Sequence, residues 1–497
     1  MNRNRSDSEN AAVYTISPEL SEAKRWLAAR LREWEGSDLG QTVLRCLGSA
    51  GLERGWLVGG AVRDVALGRP LPPDLDLALP VPDARPVAEE LARGLCGHPF
   101  PLDEGRGAWR VALPGGATVD AVPLRASTLE EDLELRDFTV NAMAWRLGGG
   151  PLVDPLGGLA DLLRGELRAC GPGVLEADPL RVLRVYRFSA ALGLRVGPEL
   201  AGRLARAAPG LDGVAPERVR TELFATLDLP AGAGALRRMA EDGVLAALFP
   251  FVEAWRGFDQ GDYHRHDLWE HALRTAEEAA RLAAGEVWIP EPGRLREHLA
   301  EELEAGITRR ALLVMAAYLH DLAKPECAVD EGTRRRFTGH ETRGGHLVRG
   351  LLARLRVGRR ARGAAQRVVA AHLRLFQLSR QTPPTERARL RYLRDLRAET
   401  PEAVLLAVAD ERATGEDSPH REAVERTAAE VLALYWRKRD EEEIPPLLRG
   451  RDLVELGVPP GPEVGRLLRQ VAEAEARGEV ATRNEALALV RRLRERT

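Results

Sequence analysis

Four cysteines in 497 residues (Cys46, Cys96, Cys170 and Cys327) are too few and too scattered for a disulfide framework. They form no Cys-x-x-Cys pair, which also argues against a zinc ribbon, and the pattern fits a reducing cytoplasm. Long apolar runs are missing as well. No stretch reaches the roughly 20 residues that a spanning helix needs, so no membrane partner is expected. The opening MNRNRSDSENAAVY lacks the apolar core of a secretory signal, and residues 1–17 are expected to be disordered. Nor is there an excess of one charge: a net charge of −3 excludes a global basic field, so RNA contacts must come from local arginine clusters. Histidine is scarce, ten in all, which makes its distribution informative.

What is present describes a globular chain, 44% hydrophobic and 30% charged, too long for a single core. Apolar spacing predicts helices over 19–35 and 41–50. Strand-like and helical segments alternate over 56–147, and Gly115-Gly116 between two apolar runs predicts a hairpin. From about residue 151 the β pattern fades into amphipathic helices broken by Gly and Pro, and 441–446 reads as a linker. The expected organisation is α+β: a disordered start (1–17), a head with a mixed or antiparallel sheet (18–150), a helical neck (151–255), a helical body (256–440) and a helical tail (441–497).

The most informative stretch is WLVGGAVRDVALGRPLPPDLDLAL, residues 56–79. It predicts a strand, a Gly59-Gly60 turn, a short helix carrying Arg63 and Asp64, and a second strand carrying Asp74 and Asp76. Alternate strand residues share a face, so the two carboxylates project side by side. Paired hard oxygen ligands suit Mg²⁺, which commonly also binds substrate phosphates. The glycines let backbone N–H groups approach an anion at the helix start. A phosphate cradle beside a metal pair points to nucleotidyl transfer.

This stretch resembles the head of class II tRNA nucleotidyltransferases and bacterial poly(A) polymerases, members of the polymerase-β-like superfamily. Asp120, in TVDAV, is either a third acid near the metals or a solvent-facing residue. In LEEDLELRDFTVNAMAW, Arg136 and Asp137 match the family's ribose-contacting Arg-Asp pair, with Leu135 where a second arginine is usual. In EADPLRVLRVYRFSAALGL, Asp178 and Arg181 are three apart and on a helix would share a face. The resemblance implies that this pair selects CTP and ATP without a template; Ala177 stands where the family commonly has Glu. Arg184 and Arg187 continue the stripe and could hold triphosphate or RNA backbone.

Downstream, the order DYHRHDLWEH, AAYLHDLAKP, FTGHETRGGH, VVAAHLRL and LLAVADERA resembles HD-domain metal-dependent phosphohydrolases. The resemblance maps His271, His320, Asp321 and Asp410 as ligands of a first metal, with His266 an alternative to His271. It leaves His340, His346 and His372 for a second metal or phosphate contacts. Mixed imidazole and carboxylate ligands suit a divalent transition metal, Mn²⁺ or Mg²⁺. The tail from residue 449 resembles the C-terminal piece of HD-containing tRNA nucleotidyltransferases, whereas 284–306 has no clear match.

The resemblance implies untemplated addition of CMP and/or AMP to a tRNA 3′ end from CTP and ATP, with an attached HD phosphohydrolase module. A poly(A) polymerase, or a phosphohydrolase with an inactive head, are the alternatives. The stretch between Asp120 and Arg136 is short where complete CCA-adding enzymes carry a longer flexible segment, which hints at CC-only or A-only addition.

Overall fold

The computed structural model describes residues 18–261, 265–286, 289–332, 334–380, 384–415, 418–443, 448–476, 480 and 483–495. The expected disorder of 1–17 and parts of the 441–446 linker and of the tail lie outside them. Two helices open the fold, α1 (Pro18–Glu35) and α2 (Asp38–Ser49), close to the predicted spans. Ser37 caps α2 by accepting a hydrogen bond from the Gly40 amide at 3.2 Å.

A seven-stranded sheet follows, in the order β3-β4-β5-β2-β1-β6-β7. Its strands are β1 (Trp56–Val58), β2 (Asp74–Leu79), β3 (His98–Asp103), β4 (Ala108–Ala112), β5 (Thr118–Pro123), β6 (Ala144–Arg146) and β7 (Leu152–Val153). β2 and β5 run parallel and the other pairs antiparallel, so the sheet is mixed as expected. Parallel strands require a long crossover, and here it passes through α4 (Arg85–Gly94) and the β3–β4 hairpin, with the short α3 (Gly60–Ala66) joining β1 to β2. The Gly115-Gly116 turn closes β4 onto β5 with φ of 88° and 89°, a left-handed backbone that glycine adopts without strain.

Leu57, Leu75, Leu77 and Leu79 are fully buried beneath α1, α2 and α4. Each contributes about 1.5–3 kcal/mol by leaving water. The buried Glu35, at the end of α1, accepts from Trp145 Nε1 and from the Gly148 amide, both at 2.9 Å. That carboxylate ties the N-terminal helices to β6.

Two details add to the expected outline. The sheet runs to Val153, past the expected end of the head at 150, because Leu152 and Val153 pair with β6. The remainder carries short strands among its helices: Glu166–Leu167 pairs with Arg195–Val196, Glu302–Glu304 with Ile307–Thr308, and Val329–Glu331 with Arg334–Arg336. The 284–306 segment forms a helix, Pro292–Leu299, and part of one hairpin. The tail has its own apolar cluster around Leu453, Leu467 and Val490.

Candidate functional site

Strand alternation on β2 buries Leu75 and Leu77 and leaves Asp74 and Asp76 on the open face. Asp74 Oδ1 accepts from the Thr118 amide at 3.1 Å and the Thr118 hydroxyl at 2.8 Å. Asp76 stands in register with Asp120 on β5. Asp120 is buried, which rules out the solvent-facing alternative, and Arg110 grips both its oxygens at 2.6 and 2.7 Å. Burial, and then the Asp120 charge, push the Asp76 carboxyl above its ordinary range, with Arg136 and Arg110 opposing. Such an anion is one that a divalent cation would relieve. Two carboxylates on an open face fit the one or two protein ligands that Mg²⁺ takes when phosphates supply the rest.

Gly59 caps α3 with φ of 72°, and a Cβ there would lie 3.2 Å from Arg136 Nη1 and 3.3 Å from Asp76 Oδ2. The turn thus brings the second motif's arginine against the first motif's carboxylate, and only a glycine leaves the space between them open. From this point a polar chain runs into the neck. Arg63 bonds Asp64 Oδ1 at 2.9 Å and Asn141 Oδ1 at 2.6 Å. Asn141 Nδ2 donates to Asp137 Oδ1 at 3.1 Å, and Asp137 Oδ2 pairs with Arg184 at 2.8 Å. Arg63, Arg184 and Arg187 all pack on the Phe188 ring, 5.4, 5.4 and 4.5 Å from its centroid. Gly59, Gly60, Arg63, Asp64, Arg136, Asp137 and Arg184 therefore belong to one connected surface with Asp76.

Asp178 and Arg181 do not share a helix face. The helix begins at Arg181, and Asp178 is extended just before it, accepting from the Leu180 amide at 3.3 Å and pairing with Arg218 at 2.8 Å. Asp-Pro at 178–179 starts a turn and delays the helix. Arg181 donates to the carbonyls of Leu135 (3.1 Å), Val174 (3.3 Å) and Arg136 (3.4 Å), linking neck to head. Arg187 pairs with Glu222 at 2.6 Å.

The second cluster is built from five helical segments. His271 lies within Leu268–Ala284, His320 caps Arg309–Leu319 with Asp321 next, His340 and His372 open their helices, and Asp410 lies within Thr400–Thr414. His271 Nε2 is 3.0 Å from Asp410 Oδ1, His320 Nε2 is 3.0 Å from Asp321 Oδ2, and His340 Nε2 is 3.1 Å from Asp321 Oδ1. Three overlapping groups can each hold a metal: His271, His320 and Asp321; His320, His372 and Asp410; Asp321, His340 and His372.

The ring nitrogens on the far side explain this convergence. The Nδ1 atoms of His320, His340 and His372 lie 2.8, 2.7 and 2.8 Å from the carbonyls of Ala317, Phe337 and Val369. A carbonyl there fixes the Nδ1–H tautomer and turns the Nε2 lone pair inward. His340 Nε2 and His372 Nε2 then face each other at 3.3 Å, which favours a cation between them. Burial opposes charge on His320, yet Asp321 and Asp410 push its pKa up to about 10. Burial and the neighbouring His320 push His372 down to about 3. The cluster demands positive charge at its centre and fits a divalent metal with nitrogen and oxygen ligands. It opens on a cavity of about 1060 Å³ lined by Lys324, Arg335, Phe337, Phe376 and Arg380 among others.

Two histidines fall outside. His346 is exposed and contacts Gln366 at 3.2 Å. Six residues after His340 on one helix, it is turned about 240° from that residue. His266 precedes the Leu268–Ala284 helix and belongs to none of the three groups, whereas His271 belongs to one. Missing from the expected residues were Arg110, Asp132, Asn141, Phe188 and Lys324. Asn141 sits inside the matched FTVNAMA segment, and Lys324 is buried one turn after Asp321, pairing with it at 2.6 Å; helical spacing alone pointed to that contact.

A mixed sheet with an acidic pair beside a Gly-Gly turn, followed by a helical neck, defines a nucleotidyltransferase. The poly A polymerase head domain model matches residues 116–168, the probable RNA and SrmB-binding site of polymerase A matches 193–256, and the HD domain matches 268–415. The chain is 37% identical to the A-adding tRNA nucleotidyltransferase of Deinococcus radiodurans over 450 residues, 89% of this chain and 96% of that protein. It is 34% identical to the CC-adding tRNA nucleotidyltransferase of Geobacter sulfurreducens, over 87% of this chain and 90% of that protein. A solved CCA-adding enzyme in complex with ATP shares the fold, with a TM-score of 0.58 at 22% identity over 93% of this chain and 97% of that one. The chain belongs to the tRNA nucleotidyltransferase family. Its head and HD domain imply the use of divalent metal ions. Among the described residues no helix is long and apolar enough to cross a membrane.

Proposed function

We propose that this enzyme adds CMP or AMP to the 3′ end of tRNA without a template, completing part of a CCA end in the cytoplasm. The observation that carries this reading is the meeting of Asp76 and Arg136 at the Gly59 turn, where an acid for metal and a cation for nucleotide share one small space. The 3′-hydroxyl of the RNA attacks the nucleotide α-phosphorus, the new phosphodiester forms, and pyrophosphate leaves with the electrons of the broken bond. Asp74 and Asp76 would hold Mg²⁺, which when bound favours the hydroxyl's deprotonation and neutralises the departing charge. Arg63, Arg136 and Arg184 supply fixed positive charge for the triphosphate and ribose, and positioning with electrostatics carries most of a phosphoryl transfer. No protein nucleophile is needed.

Addition of one kind of nucleotide, rather than of all three, is favoured by the turn at 124–128. It joins β5 directly to the helix α5 (Leu129–Glu134), which is held by a capping box between Thr128 and Glu131. Little slack is left for switching between bases. The HD cluster, with His271, His320, Asp321 and Asp410 around one metal and His340 and His372 beside it, would serve as a phosphohydrolase site, where a bound metal supplies hydroxide at neutral pH. The test is product length on transcripts ending before CCA or in CC. A CC-adding chain stops after two CMP on the first, and an A-adding chain extends only the second. Synthesis of a complete CCA by the single chain overturns the restricted reading.

A further inference from the structure

We propose that Asp132 is a positioning residue for nucleotide addition, fixing Arg136 at the Gly59 turn by tying that arginine to the 124–128 turn; this rests on the reading of the head given above. Asp132 lies on α5 and is 2% exposed. The capping of α5 is already performed by Thr128 and Glu131, so the Asp132 side chain is not needed for it. Its carboxylate is spent on arginines. Oδ1 accepts from the Arg125 amide at 3.0 Å and from Arg125 Nε at 2.9 Å, while Oδ2 faces Arg125 Nη2 at 3.3 Å and Arg136 Nε at 3.6 Å. Burial alone would raise the Asp132 pKa, but the Arg125 hydrogen bonds outweigh it and keep the group charged.

Arg125 also frames, together with Arg181, the peptide that carries Arg136. Arg125 Nη2 donates to the Asp132 carbonyl at 2.8 Å, and its Nη1 reaches the Leu135 carbonyl at 3.5 Å. Arg181 holds that Leu135 carbonyl from the neck side at 3.1 Å. Arg136 makes no hydrogen bond through its buried Nε, so the ion pair to Asp132 is what anchors its inner end while Nη1 points at the Gly59 turn, on which Asp76 Oδ2 also converges. Moving the 124–128 turn therefore moves Asp132, and with it the guanidinium beside the metal-binding acid. A displacement of about 1 Å in such a group costs on the order of 100-fold in rate.

The experiment uses the full chain and whichever of CTP and ATP the wild type incorporates into tRNA. Asp132→Asn keeps the shape and removes the charge. The expected result is a kcat lower by about 10- to 100-fold, a KM for tRNA unchanged, and weaker discrimination between the ribonucleotide and its 2′-deoxy form. The double variant with Arg136→Lys is expected to be no slower than Arg136→Lys alone, because Asp132 acts through that arginine. A wild-type kcat in Asp132→Asn, or losses that multiply in the double variant, overturns the proposal. If Asp132→Asn fails to fold, Arg125→Lys decides in its place, since it keeps the charge but breaks the fork: a kcat about tenfold lower supports the proposal and an unchanged one overturns it. A wild type that incorporates neither nucleotide overturns the reading of the head itself, a result distinct from an active wild type indifferent to Asp132.

Discussion

Asp76 and Asp120 stand directly opposite each other on the parallel strands β2 and β5, and Arg110 holds Asp120 through both carboxylate oxygens. The pairing is unequal. Asp120 is neutralised by its own arginine, whereas Asp76 is left facing the Gly59 turn with its affinity for protons raised by burial and by its neighbour. An acid held in that state costs stability at neutral pH and supplies a strong site for a divalent cation, a trade common at functional positions.

Asp76→Asn should therefore separate activity from stability. Nucleotide incorporation is expected to fall on the order of 10²-fold or more, the scale of losing one preorganised electrostatic group. The thermal midpoint is expected to rise rather than fall, because a carboxyl whose folded pKa lies above its unfolded value is destabilising once it is ionised. Calorimetry on the two proteins at pH 7 measures the sign, and a lower midpoint in the variant contradicts the placement of Asp76.

The helical body rests on a buried ionic network. Glu402 accepts from Arg309 Nη1 at 2.8 Å and lies 3.2 Å from His298 Nε2, and the Arg309–Glu402 pair is 3% exposed on each side. Replacing Arg309 with Met leaves the carboxylate without its guanidinium, at a cost of about 3–5 kcal/mol. Denaturant unfolding of the body, followed by helix signal, gives that value.

The same network sets a pH dependence. Burial raises the Glu402 carboxyl, but His298 and Arg309 outweigh it and hold it below its ordinary 4.5. Its contribution is fully present above that ordinary value and is lost as pH falls through the lower folded one. The wild-type midpoint should drop more steeply than that of Glu402→Gln below about pH 4.5; parallel curves contradict the assignment.

At the HD cluster, His320→Ala and Asp321→Asn should each weaken Mn²⁺ or Ni²⁺ binding by on the order of 100-fold in titration calorimetry. His346→Ala should bind as the wild type does, since that ring is exposed and turned to Gln366. Neither metal-site variant should alter nucleotide incorporation at the head.

Local pattern carried much of this architecture. The Gly-Gly turns and the β2 alternation pointed to the head's strands, because each depends on residues close in sequence or on rigid periodicity, and the ordered His and Asp motifs named most of the residues that converge in the helical body. Reading Asp178 and Arg181 as one helix face failed because an Asp-Pro turn moved the helix start to Arg181. The motif order sets His346 beside His340, but six residues on a helix turn a side chain away. Arg110 and Asp132 were not legible, since their importance comes from strand register and from a turn that brings Arg125 onto α5. The partners lie only ten and seven residues apart, but which side chains face each other depends on register and turn geometry that the residue pattern does not specify.

The most direct test is incorporation of labelled CTP and ATP into tRNA ending before CCA, tRNA ending in CC, and an unrelated RNA, by the wild type and by Asp76→Ala. Label on a tRNA end with the wild type and none with the variant is the predicted outcome. Label on the unrelated RNA alone, or label that persists in Asp76→Ala, contradicts it.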